Sequence, residues 1–153
     1  MFTIRSATIN DLEKIKQLNT NAFINNVNYD PDAIEDWAHT PQGEKYLRNA
    51  IEDTSRCFLV CEEENGIIGY IDGHDMECDW RKSKYFELIN LGVHTEKQGQ
   101  GIGKALMEEV TKWATERGFE RIYLNCYLRN KPALDFYKKL GFDEIDICLE
   151  KDI

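Results

Sequence analysis

A run of glycines between a strand and a helix is the part of this sequence best suited to chemistry. Gly99, Gly101 and Gly103 alternate over five residues, after an apolar run that ends near Val93. Glycine lets the backbone turn sharply and approach a ligand closely. The N–H groups of such a turn point outwards at the positive end of the following helix, where they suit a phosphate or pyrophosphate. We therefore expect an anionic cofactor at this turn.

The spacing of these glycines excludes two common phosphate loops. A dinucleotide-binding fingerprint that starts at Gly99 would need a glycine where Lys104 stands, and a Walker loop would need one where Gln98 stands. The pattern [RQ]-x-x-G-x-[GA] does fit, with Gln98, Gly101 and Gly103 at its fixed positions. A purely structural turn would also explain this hexapeptide.

A second segment further along the chain decides between these interpretations. The stretch from Asn130 to Phe142 satisfies every fixed position of the pattern N-x-x-A-x-x-F-Y-x-x-x-G-F, and an apolar Leu91-x-Val93 ending precedes the glycine turn. Together these segments resemble the two signatures of the GCN5-related N-acetyltransferase (GNAT) family. The resemblance is specific over residues 85–145, and the order of elements extends it to a single domain over residues 1–153.

The resemblance implies acetyl-CoA as co-substrate. The histidines, His39, His74 and His94, are widely spread and no zinc-like ligand set appears, so we expect no metal. In such proteins two parallel strands splay apart, and the pantetheine arm lies in the gap, where Leu91 and Val93 would supply hydrogen bonds. Backbone N–H groups of residues 98–104 would hold the pyrophosphate, and Asn130 would order the arm or a water, or cap the next helix. The cofactor-binding residues implied are Leu91, Val93, Gln98, Gly99, Gln100, Gly101, Ile102, Gly103, Lys104, Asn130 and Tyr137. Nearby cations that would attract the cofactor, or simply cover helix surface, are Lys97, Lys104, Arg129, Lys131, Lys138 and Lys139.

Three groups are candidates for the acetyl transfer itself. Tyr137 matches the family's usual general acid for the leaving thiolate, although its helical spacing also suits a core tyrosine. The Val93 backbone N–H is the implied oxyanion donor. Glu87 is the candidate base, because in an unbulged strand it shares an otherwise apolar face with Ile89, Leu91 and Val93. It would equally suit the wet end of the strand, and Asn90, Asp75, Glu77 and Asp79 are competitors.

The acceptor is expected to contact aromatic and acidic residues near the first two helices. In the family this region walls the acceptor cleft, and we assign Phe23, Tyr29, Trp37 and Asn90 to substrate binding. Acidic and polar neighbours are Asn26, Asp30, Asp32, Glu35 and Asp36. Carboxylates beside aromatic rings suit a cationic amine through charge pairing and cation–π contact. Polyamines, basic peptides, aminoglycosides and lysine-like metabolites all qualify.

The elements that must position these residues follow from local patterns. A capping box at Asn10 and Glu13 predicts the start of the first helix, and Asn65-Gly66 predicts a hairpin turn. The expected strands are 2–7, 57–61, 67–71, 85–93, 121–127 and 142–149, and the expected helices are about 10–22, 41–53, 101–117 and 132–141. We predict an α/β (α+β) fold of the GNAT type, with a mixed central sheet, helices on both faces and splayed parallel strands.

Charge and composition limit the classes of partner that the protein is expected to bind. The net charge of −9 argues against non-specific nucleic-acid binding. Residues 1–80 hold 6 Lys/Arg against 16 Asp/Glu, and residues 81–153 hold 13 against 12, so only the first half is strongly acidic. This asymmetry suits two ligands of opposite sign, or a solvated acidic surface. The chain lacks an apolar run of roughly 20 residues and a signal-like N-terminus, so we expect a cytoplasmic protein without membrane contact. The five cysteines form no CxxC pair.

We therefore predict an N-acetyltransferase that moves an acetyl group to a primary amine by direct transfer. A non-catalytic acyl-CoA-binding sensor or partner module on the same fold is the alternative. A larger acyl donor, such as succinyl-CoA, would fit the same loop. The resemblance also implies that a homodimer through edge strands is possible.

Overall fold

A mixed sheet of five strands forms the centre of the molecule. The computed structural model describes all of residues 1–153, and its strands lie side by side in chain order. The three pairs formed by the first four strands are antiparallel, and the fifth strand pairs in parallel with the fourth. The strands are β1 (Thr3–Ser6), β2 (Cys57–Glu63), β3 (Gly66–Asp75), β4 (Tyr85–Val93) and β5 (Arg121–Leu124).

Four helices cover the two faces of this sheet, as predicted. They are α1 (Leu12–Phe23), α2 (Pro41–Glu52), α3 (Ile102–Glu116) and α4 (Lys131–Lys139). On one face α3 buries Ile102, Leu106 and Val110 against β2, β3 and β4. On the other face α1 and α2 bury residues such as Leu18 and Leu47 against β2 and β3. None of the helices is both long enough and apolar enough to cross a membrane.

The start of α1 differs from the prediction. A short 3-10 turn, Ile9–Asp11, precedes the helix, so the capping pair is Thr8 and Asp11 rather than Asn10 and Glu13. The Thr8 backbone N–H donates to the Asp11 carboxylate at 2.7 Å. Arg5 donates to the same carboxylate at 2.8 Å and lowers its pKa. The Asp11 side chain therefore ties β1 to the start of α1.

The predicted last strand over residues 142–149 does not form. Residues 143–153 make no backbone hydrogen bond, and β5 ends at Leu124 rather than at Tyr127. The alternation of Ile145, Ile147 and Leu149 is strand-like, but a strand exists only where a neighbour satisfies its N–H and C=O groups. Since no segment of this chain lies along the outer edge of β5, that edge is open.

Candidate functional site

The gap between β4 and β5 begins halfway along β4. Backbone pairing joins Tyr85–Leu88 to Arg121–Leu124 and then stops, which confirms the predicted splay. The His94 N–H donates to Ile68 of β3 at 2.8 Å. Because backbone groups alternate in direction along an antiparallel strand, the N–H groups of Leu91 and Val93 point away from β3 and into this gap.

The glycine turn at the start of α3 presents a row of free backbone donors. Gly99 and Gly101 have φ angles of 75° and 85°, a left-handed conformation that glycine adopts without strain. None of the N–H groups of residues 99–104 donates to another group of the protein, and the first bonded amide after the turn is that of Ala105. Space around Gly99 and Gly101 is open to 4 Å from where a Cβ would stand. Six donors at a helix N-terminus form a suitable cradle for a diphosphate.

Two glutamine side chains hold this turn in place. The Gln98 amide nitrogen donates to the Val93 carbonyl at 3.2 Å, and the Gln100 amide nitrogen donates to the Glu96 carbonyl at 3.1 Å. Both predicted cofactor-binding side chains are thus engaged within the loop. These residues would therefore bind an anion through their backbone N–H groups. The same holds for Ile102, whose side chain is buried in the core.

Gly103 allows α4 to approach the start of α3. A Cβ at this position would lie 3.4 Å from the Phe136 ring, at the near limit of ordinary contact. Lys104, on the neighbouring exposed surface, pairs with Glu108 at 3.6 Å. The close approach carries α4, and with it Tyr137, to the same end of the molecule as the glycine turn.

Tyr137 sits in an aromatic environment on α4. Its ring centroid lies 5.2 Å from that of Phe136 and 5.6 Å from that of Phe142. Burial raises the pKa of the Tyr137 hydroxyl, and the Cys126 thiol raises it further. The hydroxyl makes no hydrogen bond within the protein, so it is a protonated donor without a partner. The side chain thereby meets both descriptions considered from the sequence, a packed tyrosine and an available acid.

Asn130 caps α4, which confirms one of the two roles predicted for it. Its side-chain oxygen accepts a hydrogen bond from the Ala133 N–H at 3.3 Å. The cap fixes the start of the helix that carries Tyr137. A role for Asn130 in ordering the cofactor arm stays a prediction.

Most of the cations expected near the cofactor have partners within the protein. Lys97 pairs with Glu63 at 2.6 Å, and Lys138 pairs with Glu144 at 2.9 Å. Arg129 donates to the backbone carbonyl of Tyr29 at 3.1 Å. Lys104 pairs with Glu108, so Lys131 and Lys139 are the members of the set whose side chains have no partner within the protein.

A bulge in β4 overturns the face assigned to Glu87. Asp72 pairs with Asn90 and Gly73 with Leu88, so Ile89 is an extra residue in β4. The unbulged strand expected from the sequence is therefore wrong: Leu91 and Val93 share the α3 face with Phe86 and Leu88, whereas Glu87 lies on the opposite face with Asn90. Leu91 is four residues away, roughly 13 Å along a strand. A base at Glu87 would thus act through water, and that role stays a prediction.

A buried polar cluster beneath Asn90 was missed from the sequence. Asp72 on β3 is fully buried and accepts hydrogen bonds from Arg56 at 2.7 Å, Asn90 at 3.1 Å and Tyr46 at 3.3 Å. Burial and the Asp72 charge raise the pKa of Tyr46 to about 12. The only sequence signal is a lone carboxylate directly after an apolar run, Ile67–Ile71.

The aromatic residues assigned to the acceptor make separate contacts rather than one cluster. Trp37 packs on Tyr46 with ring centroids 5.5 Å apart, and so joins the cluster that holds Asn90. Tyr29 contacts Tyr127, beyond the end of β5, with ring centroids 5.8 Å apart. Phe23 is the last residue of α1. That one substrate contacts all of these residues stays a prediction.

A groove of about 650 Å³ lies elsewhere, at the end of the sheet where β4 begins. Its lining includes His74, Trp113 and Arg117, and none of the residues predicted for the cofactor or the acceptor. The groove mixes acidic and basic side chains. It is therefore separate from the glycine turn, which lies at the opposite end of β4.

The sheet, the gap and the free amides together define a mixed α/β protein with an open strand edge beside a turn of free backbone donors. The model of the acetyltransferase (GNAT) family matches residues 13–142. The chain therefore belongs to the GNAT family, as the two signatures indicated.

Similar proteins agree with this assignment. The uncharacterized N-acetyltransferase MJ1207 of Methanocaldococcus jannaschii is 29% identical over 152 residues, which is 95% of this chain and 62% of that protein. The PaiA N-acetyltransferase of Thermoplasma acidophilum, solved with coenzyme A, has a TM-score of 0.82 at 24% identity and covers 97% of this chain and 93% of its own. An aminoglycoside acetyltransferase from a soil metagenome, solved with sisomicin, has a TM-score of 0.72 at 23% identity, with coverage of 99% and 96%. The chain spans between 42% and 62% of the length of the curated relatives.

Proposed function

We propose that this chain is an N-acetyltransferase that moves the acetyl group of acetyl-CoA directly to a primary amine of a cationic acceptor. The observation that carries the proposal is the row of six unbonded amides over residues 99–104, at the N-terminus of α3 and next to the open gap of β4. A structural turn would bond these donors internally. Here they are available for a diphosphate.

The neighbouring residues fit the rest of the co-substrate. The N–H groups of Leu91 and Val93 face the gap, where an extended pantetheine arm would add to the sheet edge. The Val93 carbonyl accepts from Gln98, so the Val93 N–H remains as the donor to the arm or to the thioester oxygen. The reactive carbonyl would then lie between the open end of β4 and α4.

The chemistry requires the cationic amine to lose two protons in all and the departing thiolate to gain one. A lysine-like amine has a pKa near ~10.4 and must lose a proton before it attacks the thioester carbon. Glu87 accepts that proton through water, and the Val93 N–H stabilises the charge on the carbonyl oxygen. The nitrogen attacks the thioester carbon, and as the tetrahedral intermediate collapses the C–S bond breaks and Tyr137 donates its proton to the departing thiolate. The second proton of the attacking nitrogen passes through water to the Tyr137 oxygen, which restores the phenol.

The proposed acceptor is cationic because of the residues along the gap. Tyr29, Trp37 and Asp30 combine aromatic faces with a carboxylate, and the first 80 residues are strongly acidic. The structure solved with sisomicin belongs to an acetyltransferase of the aminoglycoside class, whose substrates carry several amines. This similarity favours a small polyamine or an aminoglycoside over a neutral amine as the acceptor.

Calorimetry with coenzyme A tests the cofactor site directly. In Gly101→Ala, a side chain at a φ of 85° costs about 1–2 kcal/mol and distorts the cradle, so affinity should fall roughly tenfold. Gly118→Ala is the matched control, because Gly118 has a φ of 76° at the far end of α3. Absence of coenzyme A binding by the unchanged protein, or equal losses in both variants, would contradict the proposal.

A thiol-release assay separates the enzyme from a non-catalytic binder. Acetyl-CoA is incubated with a panel of cationic and neutral amines, and mass spectrometry checks that one acetyl group reaches the acceptor. Turnover with cationic amines is expected. Tight coenzyme A binding without turnover on any amine would instead favour the sensor or partner module.

A further inference from the structure

A polar surface lies at the start of β4, on the face of the sheet opposite α3. Phe86 and Leu88 are buried on the α3 face, so Tyr85 and Glu87, which alternate with them, project from the opposite face. Tyr85 and Glu87 are two residues apart, roughly 7 Å along the strand. The proposed base therefore shares its surface with an aromatic ring rather than with the apolar core.

Arg81, in the loop between β3 and β4, lies over the ring of Tyr85. Its guanidinium carbon is 4.7 Å from the centroid of that ring, which is within the range of cation–π attraction. A guanidinium carries five N–H donors in a planar fork that matches the two oxygens of a carboxylate. The ring contact thus holds a group suited to bind a carboxylate on the same surface as Glu87.

Neither Arg81 nor nearby Arg121 has an acidic partner. Ile122 of β5 packs on the α3 face, so Arg121, which pairs with Tyr85, projects from the opposite face. The ion pairs of the protein include neither arginine. Acidic residues outnumber basic ones in this chain by 28 to 19, so other arginines have carboxylates within reach. These two arginines are available for an anionic group of a ligand.

We propose that the acceptor carries a carboxylate as well as its amines, and that Arg81 binds this carboxylate while the terminal amine lies at the Glu87 end of the surface. The inference rests on the proposed acetyl transfer and narrows its cationic acceptors to diamino acids, such as lysine and ornithine. An anionic and a cationic side chain on one surface match a molecule with an ammonium group at one end and a carboxylate at the other. An acceptor without a carboxylate offers only further positive charge to Arg81 and Arg121.

Amines that differ only at the carboxylate test the proposal on the intact chain. Lysine is compared with cadaverine, which lacks the carboxylate, and with lysinamide, in which an amide replaces it. Thiol release from acetyl-CoA gives kcat/KM for each amine. We expect kcat/KM to be about tenfold or more higher for lysine, the range of a hydrogen bond between charged groups. Fragmentation mass spectrometry should find the acetyl group on the terminal amine.

Arg81→Gln should remove the preference for lysine. Its kcat/KM for lysine should fall about tenfold, whereas that for cadaverine should stay the same or rise, because a repelling charge is lost. Lys82→Gln is the matched control, since it removes an exposed cation from the same loop. Circular dichroism verifies that both variants fold.

Three outcomes separate this inference from the proposed function. Equal or higher kcat/KM for the amines without a carboxylate would overturn the inference and leave acetyl transfer standing. A preference for lysine that Arg81→Gln leaves intact, or that Lys82→Gln removes equally, would do the same. Failure of every amine to be acetylated would overturn the proposed acetyl transfer, and this inference with it.

Discussion

Tyr137 illustrates how a side chain can be packed and chemically available at once. Its ring is held between Phe136 and Phe142, while its hydroxyl has no partner in the protein. Burial raises the pKa of this hydroxyl, so the proton is retained across the neutral range. A thiol has a pKa of about 8.5 and an ordinary tyrosine one of about 10, so the Tyr137 proton would pass to sulfur only while the C–S bond breaks and while a proton from the attacking nitrogen replaces it.

Replacement of Tyr137 by phenylalanine should lower kcat about 100-fold, the lower range for loss of general acid catalysis. The ring packing is kept and only the hydroxyl is lost, so the affinity for coenzyme A in calorimetry should change far less than kcat does. Tyr123→Phe is the control, since the Tyr123 hydroxyl contacts only Asn125 on the surface. Full turnover by Tyr137→Phe would remove the assignment of Tyr137 as the acid.

The Asp72 cluster fixes several elements relative to one another. Asp72 on β3 joins Tyr46 on α2, Arg56 just before β2, and Asn90 at the bulge of β4. The bulge decides which β4 residues face the gap, and Asn90 is anchored directly beside it. A buried carboxylate with three donors is stable only while the set is complete.

Asp72→Asn should lower the free energy of unfolding by about 3 kcal/mol, because it leaves the Arg56 cation largely buried without a counterion. Urea denaturation followed by circular dichroism measures the loss. Asp75→Asn on the same strand is the control, since Asp75 is exposed and pairs only loosely with Lys84 at 3.9 Å. Equal small losses in the two variants would show that the cluster contributes little.

The charge distribution of the whole chain separates its two proposed ligands. The free amides that would hold an anion lie in the second half, which has nearly balanced charges, whereas the acidic excess lies in the first half. An uneven field of this kind attracts a cationic acceptor over a distance set by the ionic strength. The effect acts on encounter and binding more than on the chemical step.

The KM for a polyamine acceptor should therefore rise roughly threefold or more between low and physiological ionic strength, as screening shortens the range of attraction. The kcat should change little. A neutral primary amine assayed under the same salts is the control. If both acceptors respond alike, the acidic half is only a solvated surface.

The sequence by itself determined the family, the glycine turn and the order of the elements up to α4. These features depend on local requirements: positive φ at Gly99 and Gly101, the spacing of apolar residues in α3, and Asn130 before Pro132 at the start of α4. The conformation of a turn or a helix start depends on residues that are adjacent in sequence, so sequence patterns predict it.

Only the tertiary structure decided on which face of β4 Glu87 lies, which groups bond to Asp72, and that residues 143–149 form no strand. Each depends on a partner that is distant in sequence. The β4 bulge is visible only in its pairing with β3, and Asp72 finds donors from three other parts of the chain. The alternation of apolar residues over 143–149 predicts a strand, and that prediction is wrong, because a strand also needs a neighbouring strand and no other segment of the chain pairs with this one.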